Sequence, residues 1–422
     1  MRAGEQAVKV YALREALEHY ENSYRALTRI PNASSEQICD AILGWAFPAL
    51  KLKPYQEVME RLEEAEKIAR EIGDESRLAW VLHWIGNTYI SNGFPSSGMP
   101  ALFESHQLAE RMGEERLTLV ASFWMTAAMI DRDPRGGLEQ LEDVLEAARK
   151  YHNRELEAHA LAKKAMAHAR LGEFEEAQDA VTRAQEVTRT TDSVMNGADV
   201  AIMSSQAFFD MGDVRRGLEY SRQGTEQAMS ASGSECAMFG HYCTGLGNLH
   251  SHNLDEAQQE FESALKLLPD FVPELQGREQ VANEVRAGLA ITQFFRGRTE
   301  AINDIKRTLA NAEAVGDEYT GAFIAQALGE AYTQMGDFDL AKQYLDAALD
   351  YYRRNDMRPY LARVLQLLGN WYEHQGRSAE AEQARTEAYQ LMEELSLPPV
   401  RLLSSSRFEP DEPQPGEPAD SR

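Results

Sequence analysis

Cys236, His241, Cys243, His250 and His252 lie close together, and thiolate and imidazole are the donors that zinc takes in tetrahedral sites. On a helix, Cys236, Cys243 and His250 share one face at steps of about 10 Å, because each residue rises about 1.5 Å. One ion with bonds of about 2.0–2.3 Å cannot bridge that spacing. The cysteines therefore read as small buried hydrophobes and the histidines as neighbours of a turn, with a zinc shared with a second helix as the alternative. Paired acids such as Glu63-Glu64, Glu114-Glu115 and Glu175-Glu176 could do proton transfer only in a shared cleft that separates their pKa values. On exposed helix faces they are solubilising charges. Gly245-Leu246-Gly247-Asn248-Leu249-His250 lacks the third glycine and the preceding strand of a dinucleotide loop, so its glycines are expected to serve helix packing. The sequence has no phosphate-cradling GxxxxGK[ST], no HExxH and no GxSxG elbow. No catalytic residue, cofactor or metal is expected, and the chain is not read as an enzyme.

Composition narrows the partners. The 422 residues carry 68 acidic against 43 basic side chains, a formal charge of −25. Phosphate binding depends on clustered Lys and Arg, so nucleic acid and anionic membrane are not expected partners. No apolar run reaches the roughly 18 residues that cross a bilayer. The opening MRAGEQAVKVYALREALEHY has no apolar core of a secretory signal. Three cysteines in this length suit a reducing compartment, and a cytoplasmic location is expected.

The elements that must position any site come from a repeat. Turns at Gly93-Phe94, Gly172-Glu173-Phe174, Gly212-Asp213-Val214, Gly336-Asp337-Phe338 and Gly376-Arg377-Ser378 recur at about forty residues or twice that. A second series at Ile72-Gly73-Asp74, Met112-Gly113-Glu114, Ser232-Gly233-Ser234, Val315-Gly316-Asp317 and Asn355-Asp356 falls half a period away. Two turns per period make each unit a helical hairpin. Between turns, apolar residues step at helical spacing, as in Leu340, Ala341, Tyr344, Leu345, Ala348 and Leu349. The expected fold is all-α, about ten hairpins in one solenoid.

Within one unit, Leu328-Gly329-Glu330-Ala331-Tyr332, then Gly336-Asp337-Phe338, Ala341, Leu345 and Ala348 set small residues where helices touch and large ones in the holes. This pattern resembles a tetratricopeptide repeat. It recurs as Gly86, Tyr89, Gly93; as Gly172, Phe174, Ala177, Ala184; as Gly245, Leu254, Ala257, Phe261, Ala264 with Pro269 beyond; and as Gly369, Tyr372, Gly376, Ala381, Ala388. Segments near 120–150, 195–230 and 285–315 match loosely, with Val214 and Thr299 where the pattern has an aromatic. The long period, the opening Ala3-Gly4-Glu5-Gln6-Ala7 and the helix ending Glu71-Ile72-Gly73-Asp74 are similar to the repeat region that follows a signal-transduction ATPase module in bacterial class III adenylate or guanylate cyclases and related regulators. The resemblance covers 1–397 and implies an ATPase or cyclase module upstream, with this chain a fragment of a larger cyclase as one alternative.

The solenoid is thus expected over 1–397 and a Pro- and acid-rich disordered tail over 398–422. The repeat family's first helices line a concave surface, and mapping the pattern places His83, Asn87, Ser122, Thr126, Arg170, Gln206, Phe209, Tyr242, Gln326 and Asn370 there. Amides, hydroxyls and aromatics together suit an extended peptide or a helix. Phe294-Phe295, Trp80 and Trp84 follow helical spacing and read as core. The leading expectation is a non-enzymatic protein-binding scaffold of a bacterial signalling assembly. The alternative is a peptide-gated sensor, similar to peptide-pheromone receptors built from the same repeat.

Overall fold

The computed structural model describes residues 1–9, 12–53, 55–91, 95–130, 132–191, 193–231, 233–267, 279–398 and 402–404. Among them the chain forms twenty α-helices and no strand. They pair as α1 (Arg2–Lys9) with α2 (Leu13–Leu27), α3 (Ser35–Leu52) with α4 (Tyr55–Ile72), α5 (Glu75–Ser91) with α6 (Pro95–Met112), and α7 (Glu115–Ile130) with α8 (Pro134–Lys150). Next come α9 (Arg154–Leu171) with α10 (Phe174–Thr188), α11 (Val194–Asp210) with α12 (Val214–Ser230), and α13 (Ser234–His250) with α14 (Leu254–Leu267). The last three pairs are α15 (Glu279–Phe295) with α16 (Ile302–Val315), α17 (Glu318–Met335) with α18 (Phe338–Arg354), and α19 (Arg358–His374) with α20 (Ser378–Glu394). The loosely matching segments are hairpins like the rest. Where Thr299 replaces the aromatic, α16 is entered through a 3-10 turn, Thr299–Ala301. The Gly93-Phe94 turn, Ser232 and Pro269 lie outside the described residues.

Local chemistry sets the ends. Asp317 begins α17 by accepting the Thr320 N–H at 3.1 Å, and Asp213, Asp337, Asn153 and Ser193 cap their helices in the same way. Most of the described turns place one residue in the left-handed region, which turns the chain back and satisfies the last carbonyls. At Gly336 (φ 80°) the Asp337 N–H reaches the Tyr332 carbonyl at 3.0 Å. Glycine does not hold every such place: His152, His252, Asp356 and Ser396 also have φ between 52° and 62°. Gly336, Asp356, Gly376 and Ser396 follow one another at twenty-residue steps, the structural form of the half-period.

Packing explains the small-large pattern. A Cβ on Gly329 would lie 2.5 Å from Cγ of Leu345, so the glycine on α17 is what admits that leucine from α18. The ring of Phe261 sits likewise against Gly245 and Gly288, while Gly247 faces Phe209 and Leu218. The two glycines of the dinucleotide-like run are therefore helix contacts. Odd-numbered helices also pack side by side, from α3 on α5 through α17 on α19, which makes them the inner wall. Cys39, Cys236 and Cys243 are buried thiols not joined in a disulfide, and burial pushes Cys243 up to about 12.

The stack closes on itself. Helix α19 touches α9, and Arg135 pairs with Asp356 at 2.8 Å across more than half the chain. After α20 the chain runs back over earlier turns, with Leu395 against Gly172 and Pro398 against Gly212. Leu402 and Leu403 pack on the core, and the Ser404 N–H donates to Oε1 of Glu330 at 2.7 Å. These residues belong to the expected tail; 405–422 lie outside the described residues.

Two expectations follow. Gly329→Ala should lower stability by about 1–3 kcal/mol through overpacking, whereas Gly336→Ala, which meets open space, should cost about 1–2 kcal/mol through its left-handed backbone alone; denaturant midpoints measure both. Burial raises the Glu330 carboxyl from 4.5 to about 7. Folded chain thus keeps a proton that unfolded chain releases, so this group's stabilisation is complete below pH 4.5 and is lost as pH rises through 7. Glu330→Gln removes that dependence, and the stability difference between wild type and variant should change by on the order of 3 kcal/mol between pH 4 and 8. A constant difference would contradict the assignment.

Candidate functional site

The odd helices enclose a cavity of about 1650 Å³ that draws on every inner helix from α3 to α19. Pockets that take drug-sized molecules are about 300–1,000 Å³, so this one has room for a longer occupant. Its lining sorts by helix. Helices α3, α5 and α7 bring Phe47, Trp80, Trp84, Phe123 and Trp124, while α9 and α11 bring Lys163, His159, Asn196 and Asp199.

The polar part is built around His159. Its Nδ1 lies 2.9 Å from the Glu155 carbonyl and its Nε2 3.6 Å from Asp199. Burial opposes a charge there, but the bond and charge of Asp199 outweigh it and raise the imidazole above its ordinary value. Asp199 is half-exposed on the cavity wall, and His159, against the cost of desolvation, holds it below the usual carboxylate range. Beside them Asn196, only 4% exposed, donates from Nδ2 to the Glu155 carbonyl at 3.2 Å, and its Oδ1 has no hydrogen-bond partner.

Where the ring closes, charged and phenolic groups from distant helices meet on the same cavity wall. The guanidinium of Arg170 stacks over Tyr319 at 4.4 Å and lies 4.0 Å from Asp210. Tyr360 donates to Asp210 at 2.5 Å, and the Tyr319 and Tyr360 hydroxyls are 2.9 Å apart. Burial first, then the Asp210 charge, pushes Tyr360 well above its ordinary value. These four side chains tie α9 and α11 to α17 and α19, and Arg363 adds a contact to His250 at 3.1 Å.

Of the residues expected on the inner face, His83, Asn87, Arg170, Gln206, Phe209 and Tyr242 line this cavity. Arg170 is 3% exposed and engaged within the chain. The other four lie elsewhere. Thr126 donates to Gln140 of α8 at 3.4 Å, and Asn370 accepts from Arg385 of α20 at 3.0 Å. Ser122 is half-buried on α7 outside the lining, and Gln326 on α17 has a buried Oε1 without a partner. Phe294 and Phe295 are core, whereas Trp80 and Trp84 are half-buried on the cavity wall. Sequence reasoning missed Phe123, Trp124, Asn196, Asp199, Tyr319 and Tyr360. His241 pairs with Glu260 at 2.6 Å, and among the described residues no three His, Cys, Asp or Glu side chains are grouped to hold a metal. No helix among them is long and apolar enough to cross a membrane.

Residues 321–394 match the family model of the tetratricopeptide repeat, and residues 7–89 and 126–201 match that of anaphase-promoting complex subunit 5. No curated protein matches the chain. Among solved structures it is similar to a chain of the APC/C hetero-tetramer Cut9–Hcn1, with a TM-score of 0.58 at 13% identity over 96% of this chain and 75% of that one. It is similar to a Rap protein complexed with competence and sporulation factor, with a TM-score of 0.55 at 11% identity over 86% and 99%. It is also similar to the Rap conjugation gene regulator of plasmid pLS20 in complex with the Phr* peptide, with a TM-score of 0.52 at 14% identity over 85% and 96%. At these identities the likeness is one of fold: the chain is a tetratricopeptide-type helical solenoid.

The closing contacts make a measurable difference. Tyr360→Phe removes the hydroxyl that donates to buried Asp210 and should cost about 1–3 kcal/mol. Tyr389→Phe, at an exposed ring, should cost less than about 0.5 kcal/mol. Amide exchange should quicken in α17 and α19 of the first variant only; equal behaviour of the two would contradict the closure.

Proposed function

We propose that the chain is a non-catalytic interaction module that holds an extended peptide in the cavity bounded by its odd helices. The observation that carries this reading is the lining itself. A volume of about 1650 Å³ combines aromatic faces for side chains with amides such as Asn196 and Gln206 that can meet a peptide backbone. The pLS20 regulator, similar in fold, was solved with a peptide, which supports the same reading here. The sequence resemblance to cyclase-associated repeat regions supports placing the module in a bacterial signalling assembly, with an ATPase or cyclase module as an associated component.

A second reading is a peptide-gated sensor. Arg170, Asp210, Tyr319 and Tyr360 both close the ring and line the cavity, so an occupant would touch the contacts that set its closure. A ligand shifts such an equilibrium only by its differential affinity for the two forms.

Selection of random twelve-residue peptides against the full chain tests the first reading. Binders should emerge, and Ala128→Trp, which fills the cavity from a half-buried lining position, should weaken them at least about tenfold while helicity is unchanged. No binder, or binders indifferent to Ala128→Trp, would remove the reading. Scattering with a bound peptide decides the second: a smaller radius of gyration marks a sensor, and an unchanged one a passive scaffold.

A further inference from the structure

Three of the chain's five tryptophans stand on one wall of the cavity. Trp80 and Trp84 of α5 and Trp124 of α7 are each half-buried, with Phe47 of α3 beside them, so each ring gives part of its surface to the cavity. The rings are mutually braced. Phe47 and Trp84 have centroids 6.2 Å apart, and Phe123 meets Trp124 edge to face at 5.6 Å. His83 is fixed between two of them, edge to face with Trp80 at 5.9 Å and with Trp84 at 5.3 Å. It is 3% exposed, and its Nδ1 has no hydrogen-bond partner.

A buried polar atom left without a partner is costly, and in native structures such an atom calls for an explanation. Burial lowers His83 to about 4, so at neutral pH the ring is uncharged, with one nitrogen a donor and the other an acceptor. An uncharged imidazole framed by aromatic edges suits neither a cation nor a carboxylate. It suits a flat ring that stacks on the indoles and carries one hydrogen-bonding group. Resting on the peptide reading above, we propose that the α3–α5–α7 wall is an anchor subsite for an aromatic side chain bearing a polar hydrogen, a phenol or an indole, whose O–H or N–H meets the imidazole of His83. An aliphatic side chain or a phenyl ring would fill the same space and leave the histidine unpaired, and sites with a buried polar group discriminate most strongly against ligands that lack its partner.

The test uses the full chain and three small probes: 4-methylphenol, 3-methylindole and toluene, titrated by saturation-transfer NMR. The two probes with a polar hydrogen should saturate and bind at least about threefold more tightly than toluene, as one added hydrogen bond implies. His83→Phe keeps a ring of similar shape and removes both nitrogens, and it should bring 4-methylphenol down to the level of toluene. Trp84→Leu should weaken all three. Thermal unfolding checks that each variant is folded, and if Trp84→Leu is not, His83→Phe alone decides. Equal binding of toluene and 4-methylphenol, or a preference that survives His83→Phe, overturns the proposal. Peptides selected against the chain that carry no Tyr or Trp overturn the anchor and leave peptide binding standing. His83-dependent phenol binding with no peptide selected supports the anchor and removes only the peptide reading.

Discussion

The structure depends on the fact that no hairpin here can bury its own inner helix. An odd helix such as α9 carries buried residues nearly all round: Ala158, Leu161, Ala162, Ala165, Met166 and Ala169 among them. Its hairpin partner α10 covers one side, α8 of the preceding hairpin and α11 of the next cover two more with α7 and α19 touching beyond them, and the remainder faces the cavity. Burial of apolar surface therefore requires the next hairpin, and the next, so the array must extend before any unit is stable. Close approach requires small residues at the contacts, which is why Gly329 stands opposite Leu345 and why Gly245 and Gly288 clasp one phenylalanine. The cavity is what is left when this stacking curves round and meets itself.

The same constraint explains what could be read in advance. Helix number and period were legible because most of the described turns use a left-handed residue and glycine marks the majority of them. His152, His252 and Ser396 were not, since a histidine or serine in that conformation leaves no mark in the sequence. The inner face was legible only in part. An outer helix such as α18 has a polar side, so its apolar stripe has a direction. An inner helix such as α7, ERLTLVASFWMTAAMI, has almost none, and a small error in rotation separates Ser122 and Thr126 from the cavity-lining Phe123 and Trp124. Trp80 and Trp84 show the same ambiguity, because a helical aromatic pair in sequence does not say whether another helix or empty space lies opposite.

Charge within the molecule is distributed differently from its total. Among the described residues most acidic side chains are exposed or half-exposed, while the inner wall matches Arg170 with Asp210 and His159 with Asp199. Buried ionic groups are retained only where partners offset their desolvation. Here the partners come from different helices, so the pairs record the curvature of the stack as much as they stabilise it. Glu330 differs: burial raises its carboxyl to about 7, and the Ser404 N–H donates to it.

An open helical array unfolds like a zipper, because each unit knows only its neighbours and the ends fray first. The contact of α9 with α19, the Arg135–Asp356 pair and the return of Leu395 and Pro398 over Gly172 and Gly212 abolish that independence for the second half of the chain. Hairpins from α9 to α20 form a loop in which the last unit supports the first. Within such a loop no hairpin is a terminal one, so its hairpins must be lost together.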